Sequence, residues 1–267
     1  MAFDKAQILS DLEAVPKDWY SIYQWKPTAR IGYTEWISEW LDEFLDEIRL
    51  IEKGLRQRSF KFADHRGQIS LQTGIEQLTE KRLVRAMFNL VQVPALGKVV
   101  DYEVPLKESD DAKHGDIDLL CISSESALCV EAKKPEASES LLKAILQAFV
   151  YTSLVATRRE AFLKDFDLPP ILKLTPSVLT FASAQSARQI RERDRYPNLW
   201  RLASTLNLKL EEKGIAPFRF FIVENTNTEL KTCLMTSAQA NKDVKVMFTK
   251  GFVLNVVEYP FTAGTKR

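Results

Sequence analysis

The order of apolar patterns along the chain predicts a mixed α/β protein, with a mixed central β-sheet flanked by helices and a helical arm at the N-terminus. Three observations carry that expectation. Segments with a three-to-four-residue apolar period alternate with short strand-like runs, in the order helix, strands, helix, strand, helix, strands. No run of eighteen apolar residues occurs, which argues against a membrane-spanning helix. The composition, 45% hydrophobic and 27% charged over 267 residues, suits one elaborated core with a smaller appendage.

The first strong pattern is a stripe of Trp36, Ile37, Trp40, Leu41, Phe44, Leu45, Ile48, Ile51 and Leu55, opposite Asp42, Glu43, Asp46, Arg49 and Lys53. It reads as a scaffold helix with one buried face, and it defines an arm over residues 1–68, with the main domain at 69–267. The polar stretch Phe60 to Gln72, with Gly67, is the connection. Gly74 before it and Pro94 beyond it bound a helix over Ile75 to Val91. Lys98 to Leu106 alternates as a strand, and a charged loop runs from Lys107 to His114. Two apolar runs follow, Ile117 to Ile122 and Ala127 to Val130, and the four polar residues between them predict a hairpin. Glu136 to Ala156 is helical. Strands are expected near Val178 to Ala182, Phe218 to Val223, Val244 to Phe248 and Phe252 to Val257, with a long charged helix about Ala187 to Lys213.

A formal charge of +1 gives no global attraction to nucleic acid, so any such binding rests on local patches. Cys121, Cys129 and Cys233 have no CxxC spacing, and His65 and His114 are far apart, so zinc lacks ligands and oxygen donors are the better expectation. Residues Met1 to Ser10 do not resemble a secretory signal, which leaves the cytoplasm as the default compartment.

The chemistry concentrates at the hairpin. Asp118 lies near the start of its first strand, while Glu131 and Lys133 lie where the second runs out at Pro135. Two residues apart on a strand, Glu131 and Lys133 leave the same face, and the hairpin can bring Asp118 beside them. Charges in apolar strands are costly unless paired or bound to metal. Two carboxylates with a backbone carbonyl suit magnesium, and a neighbouring lysine can orient or deprotonate a water, or offset charge on a phosphate. Asp116 shares the face of Asp118 and either assists it or caps the loop.

Gly115-Asp116-Ile117-Asp118 followed by Glu131-Ala132-Lys133 resembles the G-x-h-D and E-x-K signature of PD-(D/E)XK nucleases. Gln147 and Tyr151, on one face of the next helix, resemble the Q-x-x-x-Y motif of the RecB-like branch. The resemblance spans roughly Thr73 to Tyr151, without a Pro-Asp dipeptide before the hairpin. It implies a restriction-endonuclease-like fold and a magnesium-dependent (or manganese-dependent) nuclease, with Asp118, Glu131 and Lys133 as the catalytic set. Asp118 and Glu131 would be metal ligands, joined by a carboxylate from the preceding helix, Glu80, with Glu76 in reserve. Gln147 and Tyr151 would place the substrate. Lys134 and Lys143 are candidates for phosphate contact.

The substrate implied by the resemblance is DNA, in restriction, repair or defence. The alternative is a nuclease-like fold without catalysis, acting as a nucleic-acid-binding or regulatory module. A homodimer, or a partner protein docked on the N-terminal helices, is a further expectation. Basic residues gather at Arg49, Lys53, Arg56, Arg58, Lys61 and Arg66, and again at Arg188, Arg191, Arg193, Arg195 and Arg201. Interleaved acids make a solvated face as good a reading of each as a phosphate track.

Overall fold

Apolar residues at alternate and adjacent positions of Asp116–Ser123 and Ser126–Ala132 leave these segments no stable place except the middle of a sheet covered on both faces. The computed structural model, which describes residues 5–24, 31–61, 78–109, 115–238 and 244–261, puts them there. Glu76, the histidines and the expected helix start at Ile75 lie outside the described residues.

In chain order the elements are α1 (Lys5–Glu13), α2 (Trp19–Gln24), α3 (Ile31–Glu43), α4 (Glu80–Leu90), β1 (Gln92–Val93), β2 (Gly97–Pro105), β3 (Asp116–Ser123), β4 (Ser126–Ala132), α5 (Leu141–Ala156), α6 (Arg159–Asp165), β5 (Lys173–Phe181), α7 (Gln185–Arg191), α8 (Pro197–Glu212), β6 (Arg219–Val223), α9 (Asn227–Cys233), β7 (Leu234–Ala238), β8 (Val244–Phe248) and β9 (Val256–Tyr259). The main sheet runs β1-β2-β3-β4-β5-β6-β9. Strands β1 to β4 pair antiparallel, β4 to β6 parallel, and β9 returns antiparallel to β6. The two parallel steps require crossovers, supplied by α5 with α6 and by α7 with α8. The protein is thus mixed α/β, with a mixed central sheet between helices. Among the described residues no helix is long and apolar enough to cross a membrane.

Two apolar clusters occupy the two faces. One joins Leu12, Trp19, Ile37 and Leu41 of the N-terminal helices to Leu142, Ile145 and Phe149 of α5, Leu202 and Leu206 of α8, and Cys129 of β4. The N-terminal helices therefore cover part of the main core. The other joins Leu83 and Met87 of α4 to Leu119, Val130 and Phe221 of the sheet and to Val246 and Phe248 of the β7–β8 hairpin.

Several expected elements change shape. The stripe from Trp36 to Leu55 is not one helix: α3 stops at Glu43, a 3₁₀ turn spans Leu45–Glu47, and Arg49 bridges Asp18. Arg49 N–H donates to Lys17 at 3.0 Å and its carbonyl accepts from Trp19 at 3.1 Å, so tertiary pairing takes the backbone groups a helix would use. The long helix expected from Ala187 divides into α7, a 3₁₀ turn and α8, because Pro197 disfavours helical geometry at Tyr196 and then serves as the first residue of α8. Helix α5 begins at Leu141, five residues after the expected Glu136. Glu136 sits at φ 58°, Ser140 caps the helix through Lys143 N–H, and buried Gln189 accepts from Leu141 N–H at 2.6 Å. Those last two hydrogen bonds fix where α5 faces the sheet.

Candidate active site

The β3–β4 ladder pairs Leu119 with Val130, and one step further a side chain takes over from the backbone. Asp118 Oδ2 accepts the Ala132 N–H at 2.7 Å. On the other side of β4, Lys133 N–H donates to the Leu179 carbonyl of β5 at 2.8 Å. The end of β4 is thus clamped between two strands, with Glu131 and Lys133 projecting on the face that α5 covers.

Glu131 and Lys133 are both buried, their side chains 5% and 4% exposed, and they form an ion pair at 2.8 Å. The Lys133 ammonium also donates to Gln147 Oε1 at 3.1 Å and lies 3.2 Å from Glu139 Oε2. Three acceptors match the three N–H bonds of an ammonium. Glu139 in turn holds Lys143 at 2.7 Å. Lys143, expected to meet phosphate, is here engaged with Glu139. Glu80, the first residue of α4, accepts the Lys134 N–H at 3.2 Å, which draws the start of that helix to the end of β4. The Lys134 residue itself is exposed.

Tyr151 stands one turn beyond Gln147 and is buried against the entrance to β3. A Cβ built on Gly115 would lie 2.3 Å from the Tyr151 hydroxyl oxygen, so the glycine is what lets the ring approach the strand. Six of the residues expected at the site are therefore gathered in one region: Asp118, Glu131, Lys133, Gln147, Tyr151 and Glu80. Glu139 is the member that sequence reasoning missed. Its one signal is the four-residue spacing to Lys143. Between the start of α4 and the loop after β4 lies an open recess of about 520 Å³, lined by Thr79, Glu80, Lys81, Lys134, Ala137, Ser138 and Glu139.

The electrostatics follow from crowding. Burial raises the Asp118 carboxyl well above its usual value, and the neighbouring Glu131 charge adds to this, against the opposing pull of Lys133. Burial likewise raises Glu131, with Lys133 opposing. Burial works against the Lys133 ammonium, yet Glu131, Glu139, Glu80 and Asp118 together outweigh it and hold its pKa above that of an ordinary lysine. That direction favours the protonated ammonium, and so, of the roles expected for Lys133, the one that offsets charge on a phosphate.

Among the described residues no three His, Cys, Asp or Glu side chains are grouped tightly enough to hold an ion. Magnesium needs fewer, binding through one or two carboxylates plus waters and a phosphate oxygen. Four carboxylates, Asp118, Glu131, Glu139 and Glu80, stand about the two ammoniums of Lys133 and Lys143, and burial first, then the Glu131 charge, pushes Asp118 toward its neutral form. The oxygen-only donor set and this deficit of positive charge fit a hard divalent cation. No protein-family model, curated protein or solved structure matches the chain.

Proposed function

We propose that the chain is a metal-dependent nuclease of the PD-(D/E)XK superfamily, with a restriction-endonuclease-like core, that hydrolyses phosphodiester bonds in DNA. The observation that carries this reading is the buried Lys133 ammonium, held by Glu131, Glu139 and Gln147 beside an Asp118 carboxyl that burial and the Glu131 charge push toward its neutral form against the pull of Lys133. A purely structural strand end has no need of so many buried charges, because each is costly to desolvate.

Asp118 and Glu131, with Glu80 at the rim, are the residues that would hold magnesium or manganese. Bound there, such an ion supplies Lewis acidity to a phosphate oxygen and lowers the pKa of a water. Lys133, protonated, offsets negative charge developing on the phosphate. Gln147 fixes the direction of that ammonium through its Oε1. Glu139 tethers Lys133 and Lys143 together, so that both cations sit on the same side of the reacting group. Tyr151 packs against Gly115 and sets the approach of α5 to β3.

A panel of linear, circular and single-stranded DNA and RNA, incubated with magnesium or manganese, tests the reading. Wild type is expected to cut DNA only with the metal, and Asp118→Asn and Glu131→Gln are expected to lose cleavage by at least a hundredfold while remaining folded. Equal cleavage by wild type and both variants would refute it.

The second reading, a catalytically silent module that binds nucleic acid, is favoured by one feature. Glu131 already spends one oxygen on Lys133, and among the described residues no three-ligand cluster stands ready. That reading expects nucleic-acid binding with no response to magnesium in either cleavage or thermal stability.

A further inference from the structure

A second recess, of about 390 Å³, opens on the other flank of α4 and is lined by Arg56, Arg58, Lys81, Arg85, Glu103, Pro105, Lys107, Glu108, Ser109 and Asp116. It is not separate from the candidate site. Lys81 lines both recesses. Asp116, on its wall, is two strand positions from Asp118, roughly 6.6 Å along the strand.

Its charge is the reverse of the site's. Among the described residues, five cationic side chains face three carboxylates there. Glu103 is the most committed of the three, taking Arg85 at 2.5 Å and Lys81 at 2.9 Å from a backbone held at φ 44°. Glu108 accepts from the Gln57 N–H at 2.7 Å and lies 3.8 Å from Arg58, while Asp116 bears on Arg56. Arg56 is buried, and burial followed by the neighbouring Arg58 charge lowers its pKa, against the pull of Glu108, Asp165 and Asp116. Two guanidiniums crowded at the edge of a cavity gain from an anion between them.

We propose that this recess seats backbone phosphates of the nucleic-acid strand within one or two nucleotides of the bond to be cut, with Arg56, Arg58, Lys81, Arg85 and Lys107 as the contacting cations. The inference rests on the nuclease reading for the position of that bond. A single strand carries a charge about every 3.4 Å of duplex axis, so a strand laid across Asp118 reaches the recess without bending far. The chain's small net charge is no obstacle, because the attraction is local.

The test is a fluorescence-anisotropy titration of a labelled DNA duplex in EDTA, where no cleavage occurs, over a series of salt concentrations. Arg58 and Lys81 are exposed enough to truncate without opening the core, their side chains being 63% and 71% accessible. The double variant Arg58→Ala, Lys81→Ala is expected to lower the slope of log affinity against log salt by about 2, near one unit for each phosphate deprived of its cation. Lys213→Ala with Lys231→Ala, an equal charge loss at exposed positions lining neither recess, is expected to leave the slope as in wild type. An unchanged slope in the recess variant, or an equal drop in the control, would overturn the proposal. So would a wild type that binds no DNA. Inorganic phosphate and a mononucleotide are added as competitors at constant ionic strength; displacement at the same phosphate concentration as DNA would assign the recess to a free anion and also overturn it. The predicted slope loss with no cleavage under magnesium sustains the recess and refutes only the nuclease reading.

Discussion

At the scale of single residues, Asp118 and Lys133 pull stability and function in different directions. The Asp118 carboxyl binds its proton more tightly in the folded protein than in the unfolded chain, whose value is near 3.8. Its contribution to stability is therefore greatest at low pH and is lost as pH rises through the raised folded value. Asp118→Asn keeps an oxygen for the Ala132 N–H and removes the charge. In EDTA at pH 8 its melting temperature is expected to exceed that of wild type, by about 2–4 °C for each kcal/mol relieved, and the gap is expected to close as pH falls. Differential scanning calorimetry at pH 8, 6 and 5 reads this directly; a variant less stable than wild type at pH 8 would contradict it. The Glu131–Lys133 pair behaves differently. Removing either partner strands a buried charge, so Glu131→Ala and Lys133→Ala are each expected to cost about 3–5 kcal/mol, and the double variant much less than their sum. Chemical denaturation of the four proteins supplies the cycle, and additive losses would show that the pair is not coupled.

At the scale of elements, two devices hold α5 and α9 where they are. Gly115 admits Tyr151, and alanine there needs the ring to retreat from a Cβ that would sit 2.3 Å from its oxygen. Gly115→Ala is expected to reduce cleavage by about tenfold or more, and adding Tyr151→Phe, which deletes the nearest clashing atom and leaves the ring carbon 2.8 Å from the new Cβ, should restore only part of it; full activity in Gly115→Ala alone would show that the close approach of the ring is dispensable. Thr226→Ala removes the capping box of α9, in which Thr226 and Glu229 satisfy each other's backbone N–H groups, at a cost of about 1 kcal/mol. The hairpin and its flanking helices were legible in sequence because apolar period alone decides them. Asp118, Glu131 and Lys133 were legible for a related reason, since strand periodicity fixes which side chains share a face, whereas Gln147 stood out through the resemblance of Gln147 and Tyr151 to the Q-x-x-x-Y motif. Helix α9 was also written in the sequence, as Thr-Asn-Thr-Glu, although the segment has too few apolar residues for periodicity to reveal it. The break of the stripe at Glu43 was not written locally, since it depends on Arg49 finding the backbone of Lys17 and Trp19. Glu139 was hidden for the same reason, as its partner Lys133 reaches it only once the chain has turned at Pro135 and Glu136.

For the whole molecule, the consequence of the packing concerns the N-terminal helices. Leu12, Trp19, Ile37, Trp40 and Leu41 are buried in the cluster that includes α5 and α8, and burying each such side chain contributes about 1.5–3 kcal/mol. Deleting residues 1–61 would expose that face of α5, the helix that carries Gln147 and Tyr151. The truncated chain is expected to bind a hydrophobic dye and lose its cooperative melting transition. A truncated protein that melts as sharply as the full chain would show instead that the arm is dispensable. The sheet order, by contrast, is set by long-range pairings such as β6 with β9 that no local pattern specifies, which is why the sequence predicted strands near these positions without their neighbours.

The most direct test of the central claim, that Asp118 and its neighbours form a divalent-cation site serving phosphodiester hydrolysis, is magnesium titration of wild type and Asp118→Asn at pH 8, with melting temperature and DNA cleavage followed in the same samples. Magnesium is expected to raise the melting temperature of wild type and to switch on cleavage over one concentration range, and Asp118→Asn, folded and stable, is expected to show neither response. Identical responses of the two proteins, or a wild type indifferent to magnesium in both readouts, would contradict it.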